Sequence, residues 1–256
     1  MKKYLSIYSL FFRSSAPTAG IVILASVLVQ GILLWINTKG ETLYFENVVS
    51  GYVMLPSLIG LVALLWIMRD ILGASRSNVN LTLRRLRVKT IPIFITEAVY
   101  VMMGLIVFWG MTAGITYAFA AYFTDNVSVA PNPQIRLLVA AYRCGPLHIL
   151  FPLGDTLRLV CNVAAIIAFG FSMAAGNYFR RKGRNGDGFT WMTICLFVSL
   201  SVRVYNMSMA AVEVIGYGLV IFTAIACTVF EEKNSSEAEE KEKEGGEDED
   251  GKKKTA

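Results

Sequence analysis

Charged residues are scarce in this chain of 256 residues: they make up 17% of it, whereas soluble domains contain about 25%. Histidine occurs only once, as His148, which excludes paired-histidine metal sites such as HExxH. The chain also lacks a GxSxG nucleophile elbow and the spaced aspartates with which integral phosphotransferases bind metal. These absences predict a protein that is not an enzyme.

Paired cysteines and nucleotide-binding loops are missing too. The four cysteines show no CxxC spacing, and three of them lie in apolar stretches, where Cys behaves as a small apolar residue. We therefore expect no disulfide framework and no metal cluster. Nothing matches the GxxxxGKS/T loop that holds ATP phosphates, so we expect this chain to bind no cofactor of its own.

Apolar stretches long enough to cross a bilayer recur between Ser14 and Phe230, and 55% of all residues are hydrophobic. The hydrocarbon core is about 30 Å thick, so a crossing helix needs roughly 20 apolar residues. As one helix, the stretch at 188–230 would be about 65 Å long, roughly twice the thickness of the hydrocarbon core. We therefore predict two membrane-spanning helices joined by a turn near Asn206. The sequence thus predicts an all-α polytopic membrane protein with six transmembrane helices. Their approximate bounds are 18–36, 48–68, 91–123, 159–178 and two spans within 188–230.

Basic residues gather in alternate gaps between these spans. The N-terminus and the gaps at 69–89 and 180–184 are rich in Lys and Arg, whereas the other gaps contain few. Basic loops tend to stay on the cytoplasmic side of a membrane. We therefore expect both termini in the cytoplasm and the protein in the plasma membrane. Because the basic residues lie beside membrane spans, we do not expect a nucleic-acid partner.

The two ends of the chain differ from the six-span domain at 18–230. At 1–17, basic and apolar residues fall on different helical faces, which favours an interfacial amphipathic helix; a frayed basic terminus is the alternative. The tail at 231–256 has 11 acidic and 6 basic residues and almost no apolar ones, so we expect it to be disordered. A chain with only five spans would place this tail outside the cell.

The gap between the second and third spans carries the most distinctive pattern. Its run LTLRRLRV, at 81–88, mixes leucines and arginines, and Leu83 and Leu86 lie about one helical turn apart. This pattern predicts a short helix at the membrane surface to which a cytoplasmic partner docks. The alternative is that these arginines only hold the loop in the cytoplasm.

The same run, between the second and third of six spans, resembles the coupling segment of type-2 ABC exporter permeases. The resemblance is to the small permease-like proteins of Gram-positive gut bacteria in particular. Further similarities are the amphipathic helix before the first span, the run CGPLHILFPL at 144–153 before the fourth span, and the nearly loopless final pair of spans. The resemblance covers residues 1–230 and excludes the tail.

This resemblance implies a permease subunit that exports a substrate when a separate ATP-binding subunit hydrolyses ATP. It also implies a homodimer, or a heterodimer with a second permease. The ATP-binding subunit would dock on a segment of seven residues, which we name the docking segment. These residues are Thr82, Leu83, Arg84, Arg85, Leu86, Arg87 and Val88.

Ionisable residues within the spans are costly there and are candidates for a transport pathway or a gate. Glu97 either pairs with an arginine of the docking segment or is an interfacial carboxylate that reaches water. Asp155 and Arg158 have the i, i+3 spacing of a helical ion pair, either within a segment that caps the pathway or within an ordinary interfacial loop. Glu213 could contact Arg203 across the final hairpin.

Other features leave alternatives open. Gly110 and Gly114 form a GxxxG pattern in the third span, for close packing within the monomer or between subunits. The alternative function is that of a non-transporting membrane scaffold or assembly protein, which binds partners through its acidic tail and basic loop. An ion-coupled carrier would call for internal repeats with broken helices, and we find no convincing repeat. The substrate stays open.

Overall fold

The computed structural model describes residues 2–39, 45–49, 51–73, 82–83, 90–127, 139–140, 142–144, 152, 155–201 and 207–253. Over these residues the protein is helical and contains no strand. A 3₁₀ helix, Gly51–Met54, leads directly into the third α-helix. The α-helices are α1 (Lys2–Thr38), α2 (Phe45–Val48), α3 (Leu55–Gly73), α4 (Thr90–Val127), α5 (Thr156–Arg181), α6 (Asp187–Ser201) and α7 (Met207–Lys253).

Five stretches of these helices are long and apolar enough to cross a membrane, as expected of a multi-pass membrane protein. They are Ser6–Thr38, Tyr52–Gly73, Thr90–Asp125, Thr156–Arg181 and Ala211–Asn234. They correspond to the predicted first, second, third, fourth and sixth spans. The predicted fifth span corresponds to α6, whose 15 residues fall short of the roughly 20 that a crossing requires. The turn that we predict near Asn206 lies outside the described residues, so the count of six spans stays a prediction.

The N-terminal segment is helical, as predicted, but it does not end before the first span. α1 is continuous through Pro17, and the hydroxyls of Ser14 and Ser15 each donate to the Phe11 carbonyl at 3.0 Å. Ser15 also lies 2.6 Å from the hydroxyl of Tyr100 on α4, and Phe11 is fully buried beside the same ring. The beginning of α1 is therefore packed against α4, which explains why it continues straight into the span.

The acidic tail differs from the prediction as well. We expected disorder from residue 231 onward, whereas α7 continues to Lys253. Local sequence accounts for this, because Ala, Glu and Lys favour the helix.

Helix α5 is central to the bundle, since it packs against α3, α4, α6 and α7. Small residues make this possible, because they let neighbouring backbones approach closely. A Cβ added to Gly176 would lie 2.9 Å from the Gly186 carbonyl oxygen. By contrast, a Cβ on Gly110 or Gly114 would meet no atom of the described residues within 4 Å, so this GxxxG pattern does not serve packing among them.

Apolar residues also cover the outside of the bundle. The exposed apolar residues of α1 recur every three or four residues, and so do those of α7. Such stripes suit a helix surrounded by hydrocarbon. They are Ile21, Leu24, Leu28 and Ile32 on α1, and Val212, Ile215, Leu219 and Phe222 on α7.

Candidate functional site

The candidate site is a group of ion pairs at one end of the bundle, where α3 ends, α4 begins, α5 ends and α6 begins. We call it the basic end. Chain direction alone brings these termini together, because consecutive membrane helices run in opposite directions. The basic residues of the described part of this end include Arg69, Arg180, Arg181, Lys182 and Arg184.

Glu97 lies in the second turn of α4 and is fully buried. Its Oε1 accepts a hydrogen bond from Asn177 Nδ2 at 2.7 Å, and its Oε2 accepts one from an Arg181 Nη2 at 2.6 Å. Both partners belong to α5. Glu97 is therefore not an interfacial carboxylate that reaches water. Its arginine partner also differs from the one we expected, because Arg181 lies outside the docking segment.

Arg181 makes a second contact, across the bundle. Its Nη1 donates to the carbonyl of Leu72 at 3.3 Å, in the last turn of α3. The final carbonyls of a helix lack partners within the helix and favour a basic group. One guanidinium thus contacts the end of α3 and the beginning of α4. The segment at 74–89, which contains the docking segment, connects these two helix ends.

Two further pairs attach α6 and α7 to the same end. Arg69 of α3 forms a bidentate pair with Asp187, the first residue of α6, in which Nε donates to Oδ1 at 2.8 Å and Nη2 donates to Oδ2. Such fork-shaped pairs are the stronger and more specific kind. The exposed Arg184 forms an ion pair with Glu231 of α7, in which its Nη1 lies 2.7 Å from Glu231 Oε2. The basic end therefore joins α3, α4, α5, α6 and α7 through charged side chains.

The docking segment is described at two of its residues. Thr82 is exposed, whereas Leu83 is buried in the main hydrophobic core, with 5% of its surface exposed. Leu83 therefore anchors the segment and is not a residue that a partner could reach. The other five residues, Arg84, Arg85, Leu86, Arg87 and Val88, lie outside the described part of the chain.

The opposite end of α5 holds the remaining predicted residues. Asp155 is the N-cap of α5, and its Oδ1 accepts a hydrogen bond from the backbone N–H of Arg158 at 3.1 Å. The Arg158 guanidinium donates to Glu213 of α7 at 3.1 Å, and only 11% and 10% of these two side chains is exposed. The predicted i, i+3 contact is thus a helix cap. Glu213 pairs with Arg158, and Arg203, the partner that we expected, lies outside the described residues.

Helix α5 therefore carries a partly buried arginine near each end, each paired with a carboxylate of another helix. From Arg158 to Arg181 the helix rises about 34 Å, close to the hydrocarbon thickness of about 30 Å. Sequence reasoning missed Arg181 and Asp187, because both read as ordinary loop charges. The available signal was Glu97 itself, since a carboxylate at that depth requires a cationic partner.

We compared the chain with known proteins. No family model, curated protein or solved structure matches it, so the resemblance to exporter permeases stays a prediction.

Proposed function

We propose that this chain is the membrane-spanning permease subunit of an ATP-binding-cassette exporter in the plasma membrane. It crosses the membrane six times with both termini in the cytoplasm. It pairs with itself or with a second permease. A separate ATPase subunit binds ATP and docks on the docking segment through residues other than the buried Leu83, and its closure drives export of the substrate.

The observation that carries this proposal is the position of Arg181. Its guanidinium contacts the Leu72 carbonyl just before the segment at 74–89 and the Glu97 carboxylate just after it. Leu83 is buried in the core within the segment itself. A displacement of the docking segment would therefore pull on α3 and α4 together and reach the central helix α5 through one side chain.

The arrangement at the far end of α5 supports the same proposal. Arg158 joins α5 to α7 through Glu213, so that a movement of α5 would also reach α7. An ion pair near each end of α5 suits a transport protein in which the two ends of the helix bundle open at different times. Ion pairs of this kind add little net stability, although removal of one partner is costly. We infer that each pair acts as a contact that forms in one state of the transporter and breaks in another.

The test is association with an ATPase. The tagged chain is purified from its native membranes, and bound proteins are identified by mass spectrometry and assayed for ATP hydrolysis. We expect a partner with a GxxxxGKS/T motif, and we expect Arg84→Glu together with Arg85→Glu to abolish its binding. The matched control is Arg184→Glu with Lys233→Glu, which reverses two exposed charges at the same end of the bundle.

Two results would contradict the proposal. One is unchanged association in the Arg84→Glu, Arg85→Glu variant. The other is a stable partner that has no nucleotide-binding motif and no ATPase activity, which would support the alternative of a non-transporting membrane scaffold.

A further inference from the structure

A cavity of about 160 Å³ lies between α3, α4 and α5. It has the size of the apolar cavity of about 150 Å³ that holds benzene in a protein core. Its wall is almost entirely aliphatic and aromatic, with Leu61, Phe108, Trp109, Ile166 and Phe169 among the residues that form it. No charged residue of the described part of the chain contributes to this wall.

The two hydroxyl groups in the wall do not call for a polar ligand, and Asn162, the third polar residue of the wall, also has an interaction partner within the protein. Ser57 Oγ donates its proton to Gln30 Oε1 at 2.7 Å, and Thr112 Oγ1 donates to the Phe108 carbonyl at 2.9 Å. Both hydroxyl protons are thus used within the protein. A ligand with charges or several hydrogen-bonding groups would lose its hydration here with little compensation from the wall, which disfavours its binding.

The depth of the cavity in the membrane and its opening to the surface of the bundle indicate which kind of molecule fills it. The wall residues of α4, from Leu105 to Thr112, lie at the middle of the membrane-crossing stretch Thr90–Asp125. At that depth a bilayer contains only hydrocarbon. Leu58 belongs to the wall and is also 49% exposed, so the cavity reaches the lipid-facing surface of the bundle.

We propose that this cavity is a lateral binding site for the distal part of a lipid acyl chain. A segment of about six carbons fills it, by comparison with benzene. The acyl chain enters past Leu58 and contacts Trp109, while the lipid headgroup stays at the membrane surface. The site stands whether or not the lipid is transported, so it is independent of the proposed coupling to an ATPase.

Trp109 provides a direct readout, because bromine quenches tryptophan fluorescence at short range. The chain has four tryptophans, and the other three are exposed to the surroundings: Trp35, Trp66 and Trp191. With these three replaced by Phe, Trp109 is the sole emitter. The protein is placed in bilayers of phosphatidylcholine brominated near the middle of the acyl chain, near the headgroup, or not at all.

We expect strong quenching by the mid-chain bromine and weak quenching by the headgroup-proximal bromine. Ala165→Leu and Leu61→Phe, from two different helices, narrow the cavity, and each should lower the mid-chain quenching about twofold because a packed wall excludes the chain. The matched control is Gly114→Leu, whose side chain enters open space on the same helix as Trp109 and should leave quenching unchanged.

Equal quenching in the wild type and in both narrowed variants would overturn the proposal, because Trp109 would then meet lipid only on the outer surface. Quenching by added bromobenzene but not by brominated lipid would also overturn it, in favour of a free apolar molecule. Neither readout depends on ATP or on a partner, so a failure here is distinguishable from a failure of the proposed export function.

Discussion

At the scale of single residues, Glu97 illustrates what position in the sequence can and cannot reveal. Its depth in a predicted span marks it as a residue that needs a cationic partner. Its partner Arg181, however, lies far along the chain in a run of basic residues that is explained equally well by topology. Only packing decides which of these arginines turns inward, because that depends on the close approach of α5 to α4.

The ion pair of Glu97 and Arg181 should show strong coupling in a double-mutant cycle. Arg181→Gln leaves the buried carboxylate without its cation and should lower the free energy of unfolding by about 3–5 kcal/mol. Adding Glu97→Gln removes the uncompensated charge and should recover much of this loss. The measurement is denaturant unfolding of the purified protein in detergent.

The control for this cycle is Arg184→Gln, whose exposed pair with Glu231 should contribute at most about 1 kcal/mol. If the double variant were as unstable as the sum of both single variants, the two side chains would not interact in the folded protein.

Asp155 allows a smaller and more local prediction. Its side chain caps α5 at the backbone N–H of Arg158. Asp155→Ala should therefore cost about 0.5–2 kcal/mol of unfolding free energy, whereas Asp155→Ser and Asp155→Asn keep a capping oxygen and should cost much less. Equal losses in all three variants would indicate that the carboxylate acts through charge and not as a cap.

At the scale of helices, the sequence predicts where the spans lie but not how they pack. The predicted fourth span, 159–178, falls within α5, because charged residues border the apolar stretch on both sides. The boundary at residue 17 is not observed, because tertiary contacts of Phe11 and Ser15 continue the helix. The central place of α5 depends on small residues on several of its faces, and composition alone does not say which faces are covered.

Gly176 tests the close contact at the end of α5. A methyl group there would lie 2.9 Å from the Gly186 carbonyl oxygen, so Gly176→Ala must displace the turn that leads to Asp187. We expect a loss of about 1–3 kcal/mol in unfolding free energy, as for other overpacked sites.

Gly114→Ala is the matched control for this substitution. It brings the same gain in helix propensity, up to about 1 kcal/mol, into open space and should be neutral or stabilising. If both variants were equally stable, the contact between Gly176 and Gly186 would not constrain the turn.

At the scale of the whole molecule, the distribution of charge and the positions of the ion pairs agree. The helix ends that border the arginine-rich gaps at 69–89 and 180–184 meet at the basic end, where Arg69, Arg180 and Arg181 form ion pairs with Asp187, Asp70 and Glu97. Basic residues near span ends tend to keep those ends on the cytoplasmic side of a membrane. The same arginines can therefore set the orientation of the protein in the membrane and also hold its helices together. A role in topology and a role in packing do not exclude each other.

Labelling of single cysteines tests this orientation and the number of crossings together. In a variant without Cys144, Cys161, Cys195 and Cys227, new cysteines are introduced one at a time at Thr82, Lys39 and Lys253. We expect a membrane-impermeant maleimide applied to intact cells to label Lys39→Cys alone, and the other two to be labelled only after the cells are opened.

Each of the three positions tests a different feature of the topology. Labelling of Thr82→Cys from outside would place the docking segment beyond the reach of any ATPase in the cytoplasm. Labelling of Lys253→Cys from outside would mean an odd number of crossings, with the short helix α6 failing to traverse the bilayer. A cytoplasmic Lys253 would instead require that α6 and the residues that follow it complete a crossing, since α7 must then begin on the outer side.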